Sequence, residues 1–178
     1  LPGFAADLDW FTAHRPEYAD PVSVTHVRDG GRGRLPAMVP TENLRRLLAA
    51  LFDEEEFLSP FGIRSLSKRH EQHPFVLELP GFRAEVGYEP GESQSGVFGG
   101  NSNWRGPVWL PANVMLIQGL HRFARLYGAE LQLEVPTGSG RTMTLMEVAA
   151  ELTQRLSALF LPDHEGRRPS PAAANVCG

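Results

Sequence analysis

One cysteine, Cys177, is all the thiol that the 178 residues contain, so no intramolecular disulfide can hold the fold together. Basic residues are not in excess either: 17 lysines and arginines against 21 acidic side chains leave a formal charge of −4, which argues against a surface that tracks nucleic-acid phosphates. No run of about eighteen consecutive apolar residues exists, so no bilayer-spanning helix and no membrane partner are expected. The opening LPGFAADLDWF lacks the basic start and apolar centre of a secretion signal, and together with the lone cysteine this points to the cytoplasm. The chain begins with Leu1 and not methionine, which points to a piece of a longer or processed protein. What is present is an apolar fraction of 42% in a length suited to one domain, so residues 1–178 should bury a real core.

Helical spacing dominates the patterning. Asp7 to Tyr18 carries Leu8, Trp10 and Phe11 and is stopped near Pro16. Asp20 to Pro40 reads as loop. Leu44, Leu47, Leu48, Leu51 and Phe52 then recur at helical intervals behind Thr41, a good N-cap, which predicts a helix over 42–57. Ser59 to Gly96 is interrupted by Pro60, Pro74, Pro80 and Pro90 and reads as one long irregular connection, of the kind that usually serves function. Pro107 suits a first helical turn, and the apolar run to Tyr127, stopped by Gly128, predicts a buried helix over 107–127. ELQLEV, Glu130 to Val135, alternates like a short strand or extended connector. Thr144 and Glu147 form a capping box before a last amphipathic helix over 145–161.

Two motifs invite chemistry and do not hold it. VPTGSGRT, Val135 to Thr142, has the glycines of a phosphate-binding loop, but Arg141 stands where the lysine belongs and no β-α repeat surrounds it. A glycine-rich turn feeding the capped helix is the simpler reading. His70 and His73 are three residues apart in a loop before Pro74, and a pair of histidines does not make a metal site. No metal and no cofactor are expected.

A third stretch does: FGGNSNWRGPVW, Phe98 to Trp109, puts two tryptophans, an arginine and two asparagines inside twelve residues. An indole face stacks on the C–H side of a sugar ring, while Asn101, Asn103 and Arg105 offer partners for its hydroxyls. Flat apolar surface beside convergent polar groups is the make-up of a small-molecule site. Trp104, between Asn103 and Arg105, is the platform candidate. Trp109 stands between two roles, filling the core of the following helix or joining the site. From residue types alone, carbohydrate binding and a structural loop remain equally open. Glu89 and Glu92 of YEPGES are weak candidates for a catalytic acid and base, since carboxylates in a Pro-Gly loop are usually solvated; holding Arg105 or Arg64 by a charged hydrogen bond suits them better.

SPFGIRSLSKRH, Ser59 to His70, followed by NWRGPVW, Asn103 to Trp109, and then Asn113 resembles the C-terminal catalytic region of glycoside hydrolase family 63 and its bacterial mannosylglycerate-hydrolase-like relatives. The resemblance covers about Leu47 to Arg168, with Leu8 to Val39 weaker, and makes VPTGSG a structural loop. It implies an all-α fold, a partial (α/α)6 toroid of the six-hairpin glycosidase kind with long loops and little strand. It also implies part of an inverting glycosidase acting on an α-linked sugar. The substrate-binding candidates are then Trp104, Arg105, Asn103, Asn101, Trp109 and Arg64. The family acid precedes RSLS and the family base follows GRRP, so neither is expected within this chain, and the isolated chain should be inactive. The expected whole is one domain, a fragment of a larger catalytic domain, with a disordered tail over 167–178 and self-association through unpaired helix faces. The alternative is a non-catalytic helical module for carbohydrate binding or assembly.

Overall fold

The structure, a computed structural model, describes residues 2–18, 22–27, 31–36, 41–93, 96, 100, 102–162 and 164–169. Its helices are α1 (Pro2–His14), α2 (Thr41–Leu51), α3 (Leu110–Tyr127) and α4 (Leu145–Ala158). Between them run antiparallel two-stranded ladders: β1 (Val22–Val27) with β2 (Gly31–Pro36), β3 (Leu58–Ser59) with β4 (Gly62–Ile63), β5 (Phe75–Leu79) with β6 (Phe82–Val86), and β7 (Gln132–Glu134) with β8 (Thr142–Thr144). The all-α expectation is thereby corrected. Within 59–96, Pro60 and the Pro80–Gly81 pair mark turns between strands, so the first part of this stretch is not the irregular connection expected; beyond Val86 its described residues are irregular. Gly81, at φ 75°, with Pro80 before it, reverses the chain so that Leu79 faces Phe82 across the ladder. α3 packs on α4, while α2 packs on β7.

The core lies where α3 and α4 meet. Ile117, Leu120, Ala124 and Tyr127 of α3 face Leu145, Val148, Leu152 and Leu156 of α4, and Phe52, Leu58, Leu131 and Leu133 close the ends. α3 also touches β1, and its Leu116, Phe123 and Leu126 are partly buried. Val114 and Met115, on its other side, are exposed, Met115 by 75%. An amphipathic helix replaces the one expected to be apolar on nearly all faces.

The end of α2 and the start of α3 depart from the apolar pattern for local causes. In place of 7–18, α1 spans Pro2–His14 and gives way to a 3-10 turn over Pro16–Tyr18. The segment after Leu51 turns away instead of continuing to 57, because the carbonyls of Glu54, Glu56 and Leu58 converge on Nη1 of Arg64. Thr41 opens α2 as its first residue, and its hydroxyl meets that of Tyr127 at 3.2 Å. α3 begins at Leu110 and not at Pro107, since the Pro107 carbonyl accepts from the Ser65 N–H and Val108 pairs with Arg64 in a β-bridge.

VPTGSG is the C-terminal support of α2. Thr137 donates its hydroxyl to the Ala49 carbonyl at 2.7 Å and its N–H to the Phe52 carbonyl at 2.9 Å, satisfying groups that every helix end leaves open. The N–H groups of Ser139, Gly140 and Arg141 are also engaged within the loop. Those donors are thereby taken from any phosphate. The Arg141 side chain pairs with Glu151 at 3.3 Å.

α4 opens with the expected capping box: the Glu147 N–H donates to Thr144 Oγ1, and the Thr144 N–H donates back to the Glu147 carboxylate at 2.7 Å. These hydrogen bonds from Thr144 hold the Glu147 carboxyl below its ordinary value of 4.5. Burial pushes the Glu151 carboxyl up, but the hydrogen bonds and charges of Arg155 and Arg141 outweigh it and leave its pKa lowered as well. Arg155 in turn donates to the Ser59 carbonyl at 2.8 Å, tying α4 to β3. Both carboxylates have folded pKa values below their unfolded ones, so their contribution is complete above about pH 4.5 and is lost as pH falls through the lowered values. The expected result is that Thr144→Ala lowers the melting temperature at pH 7, with the gap to the unsubstituted protein narrowing steadily below pH 4.5 in thermal melts followed by circular dichroism.

Candidate functional site

The site is built on one buried side chain. Asn113, in the first turn of α3 and 2% exposed, accepts the Ile63 N–H at 2.7 Å and donates to the Ile63 and Trp109 carbonyls at 2.9 Å each. Gly62 makes the close approach possible. A Cβ there would lie 2.8 Å from Asn113 Oδ1, and its φ of 132° is open only to glycine at low cost.

From that lock the FGIRSLS and NWRGPVW segments run alongside each other. Besides the Arg64–Val108 bridge, Ser65 Oγ donates to the Asn103 carbonyl at 3.2 Å and accepts the Gly106 N–H at 3.0 Å. Gly106 has φ 136°, and a Cβ on it would sit 2.5 Å from Cε2 of Tyr88, so the Tyr88 ring packs directly under the loop. Burial raises the Tyr88 hydroxyl above its ordinary pKa of 10.0 against the opposing charge of Arg64, so it stays a neutral phenol. Arg64 Nε and Tyr88 Oη are buried side by side without a hydrogen bond of good geometry.

A cleft of about 240 Å³ opens over this junction, lined by Ile63, Arg64, Ser65, Trp104, Trp109, Ala112, Asn113 and Leu116. Trp104, 58% exposed, and the half-buried Trp109 meet at a ring-centroid distance of 4.1 Å and an angle of 50°. Two indoles thus form one bent aromatic wall. Trp109 belongs to this wall and not to the core cluster. Arg64 lines the cleft with its side chain almost wholly buried. Asn103 is exposed beside Trp104. Asn101 lies outside the described residues.

Arg105, expected as a hydroxyl clamp, is turned inward. It is 1% exposed and meets Glu89 through two contacts, Nη2 to Oε2 at 3.2 Å and Nη1 to Oε1 at 3.4 Å. Glu92 is exposed. No Asp or Glu is among the described residues lining the cleft. His70 turns its Nδ1 to the His73 carbonyl at 2.9 Å, and among the described residues no group of three or more His, Cys, Asp or Glu could hold a metal ion. No described helix is long and apolar enough to cross a membrane. Sequence reasoning missed the parts played by Tyr88 and Ser65; the glycine of WRGP and the serines of RSLS were their signal.

The mannosylglycerate hydrolase MGH1-like glycoside hydrolase domain matches residues 32–160. The chain belongs to that family. Both site segments, the Asn113 lock and the Trp104–Trp109 wall fall inside the match. An uncharacterized protein of Saccharomyces cerevisiae is 48% identical over 167 residues, covering 93% of this chain and 15% of the relative. A probable mannosyl-oligosaccharide glucosidase of Schizosaccharomyces pombe is 32% identical over 111 residues, covering 60% of this chain and 10% of the relative. The chain therefore spans only a small part of the length of these relatives. No solved structure matches it.

The Asn113 lock makes a stability prediction for this family member. Asn113→Ala leaves the buried Ile63 N–H and carbonyl unpaired, at a cost of roughly 1–3 kcal/mol for each such group. Gly62→Ala, which forces both a clash and a strained φ, should cost on the order of 1–3 kcal/mol. Urea unfolding of the two variants reads both values; Gly81→Ala, with open space around its Cβ, should suffer the conformational cost alone.

Proposed function

We propose that this glycoside hydrolase family member supplies the sugar-binding wall of an inverting glycosidase acting on an α-linked sugar. The observation that supports it best is the bent indole wall of Trp104 and Trp109 over the cleft. Its exposed faces suit the C–H side of a pyranose, with the exposed Asn103 at hand for hydroxyls. The mannosylglycerate in the family's name and the mannosyl-oligosaccharide in the name of the fission yeast relative are the substrate classes to test.

Inversion needs an acid and a base on opposite sides of the sugar, roughly 6.5–9.5 Å apart. Among the described residues the cleft lining offers no carboxylate, Glu89 is taken up by Arg105 and Glu92 is exposed and not part of the lining. These facts favour a chain that binds sugar without turning it over, and they equally support the second reading, a non-catalytic carbohydrate-binding or assembly module. The 178-residue chain is expected to show no release of sugar from aryl glycosides, mannosylglycerate or glucosylglycerate. Turnover that disappears in Glu92→Gln would overturn this assignment.

Trp104→Ala and Trp109→Ala should each abolish mannosylglycerate-induced quenching of tryptophan fluorescence, because each removes half of the same wall. Both variants should remain folded. Trp109→Ala that lost the 3–5 kcal/mol typical of a core tryptophan would return that side chain to the interior. Exposed Val114 and Met115 on α3 support self-association through an uncovered helix face, so Met115→Glu should shift the mass seen by light scattering toward the monomer.

A further inference from the structure

The Trp104 ring is mostly exposed, so packing alone does not fix its direction. The next residue is fixed. Arg105 is the largest side chain in the structure that is fully buried, and a buried guanidinium needs an anion and matched acceptors. Glu89 meets it fork to fork, and Ser93 Oγ accepts from Nη2 at 2.5 Å. Two more hydrogen bonds repeat the connection: the Glu89 N–H donates to the Arg105 carbonyl at 2.6 Å, and the Ser102 hydroxyl donates to the Gly91 carbonyl at 2.5 Å. Tyr88, one residue before Glu89, fills the space beneath Gly106, one residue after Arg105. YEPGES therefore grips the tryptophan loop from behind at both residues that follow Trp104.

The geometry points to Arg105 as a positioning residue: held by Glu89 and Ser93, it sets the angle at which Trp104 meets Trp109 and so shapes the sugar platform, without touching the sugar itself. This assignment rests on the sugar-binding role proposed above for the indole wall, and it gives the YEPGES carboxylate a task other than proton transfer. Glu89 is the control point, because its side chain is 23% exposed and can be altered without opening the interior as a change at Arg105 would.

The pair of indoles supplies a direct readout. Two such rings 4.1 Å apart and tilted by 50° couple their transitions and give an exciton couplet in circular dichroism, whose size follows their mutual orientation. Trp104→Ala sets the zero of that signal. Glu89→Gln keeps the shape and loses the charge; it is expected to shrink the couplet about twofold and to weaken mannosylglycerate binding about tenfold, the scale of one charge-assisted orienting contact, with the helix signal retained. Should Glu89→Gln fail to fold, Ser93→Ala, which removes a single hydroxyl, is read for the same loss. A full couplet in a folded variant overturns the assignment. So does a reduced couplet with undiminished sugar affinity. If the couplet falls while the unsubstituted chain binds neither mannosylglycerate nor a mannosyl-oligosaccharide, the positioning role stands and the sugar-binding reading fails.

Discussion

Three hydrogen bonds from the Asn113 carboxamide hold the candidate site to the core. Asn113 stands on the face of α3 that packs on α4, and its partners are the backbone of Ile63 and the carbonyl of Trp109. In a buried setting those backbone groups have no water to turn to, so breaking the lock is costly and keeping it dictates where β4 lies. With β4 fixed, Arg64 follows and gathers the carbonyls of 54, 56 and 58, which ends α2 and turns the chain. Ser65 follows too and captures the loop that carries the tryptophans.

The chain spends polar groups inside to gain precision outside. Arg64, Arg105, Ser59, Ser67 and Asn113 are all buried, an unusual set for so small a core. Each satisfies backbone or an acidic partner in a segment with little regular structure. A loop-rich region cannot rely on the ladders of long helices and sheets, and buried side chains take over the task of fixing its backbone. The exposed wall of Trp104 and Trp109 rests on that foundation and adds little to the core itself.

The turn chemistry shows how glycine and proline serve two ends. Gly62 and Gly106 are required by close approach, one to Asn113 and one to the Tyr88 ring, and both hold positive φ. VPTGSG, which has the glycines of a nucleotide loop, commits the N–H groups of Thr137, Ser139 and Gly140 to the end of α2, to its own turn and to Glu134. Similar composition thus gives a binding loop or a strut, depending on whether the backbone donors are already taken.

Three helices near 42, 110 and 145, the capping box at Thr144 and the stop at Gly128 were legible in the sequence, because each rests on contacts within a few residues or on a periodic apolar stripe. The tryptophan, arginine and asparagine cluster was legible as candidate chemistry for the same reason: residue type alone carries stacking and hydrogen-bonding capacity. The ladders were not. FVLEL and FRAEV join across Pro80–Gly81 only because the strands meet, and TMT pairs with QLE across the whole VPTGSG loop. Nor does sequence tell which cations face outward. In the sequence Arg105 reads both as a ligand clamp and as a partner for the carboxylates of YEPGES; only the fold, which buries it against Glu89 sixteen residues away, decides between the two. Local chemistry determined the helices and the candidate residues; desolvation, which acts only once distant segments are brought together, decided which of those residues form the wall and which hold it in place.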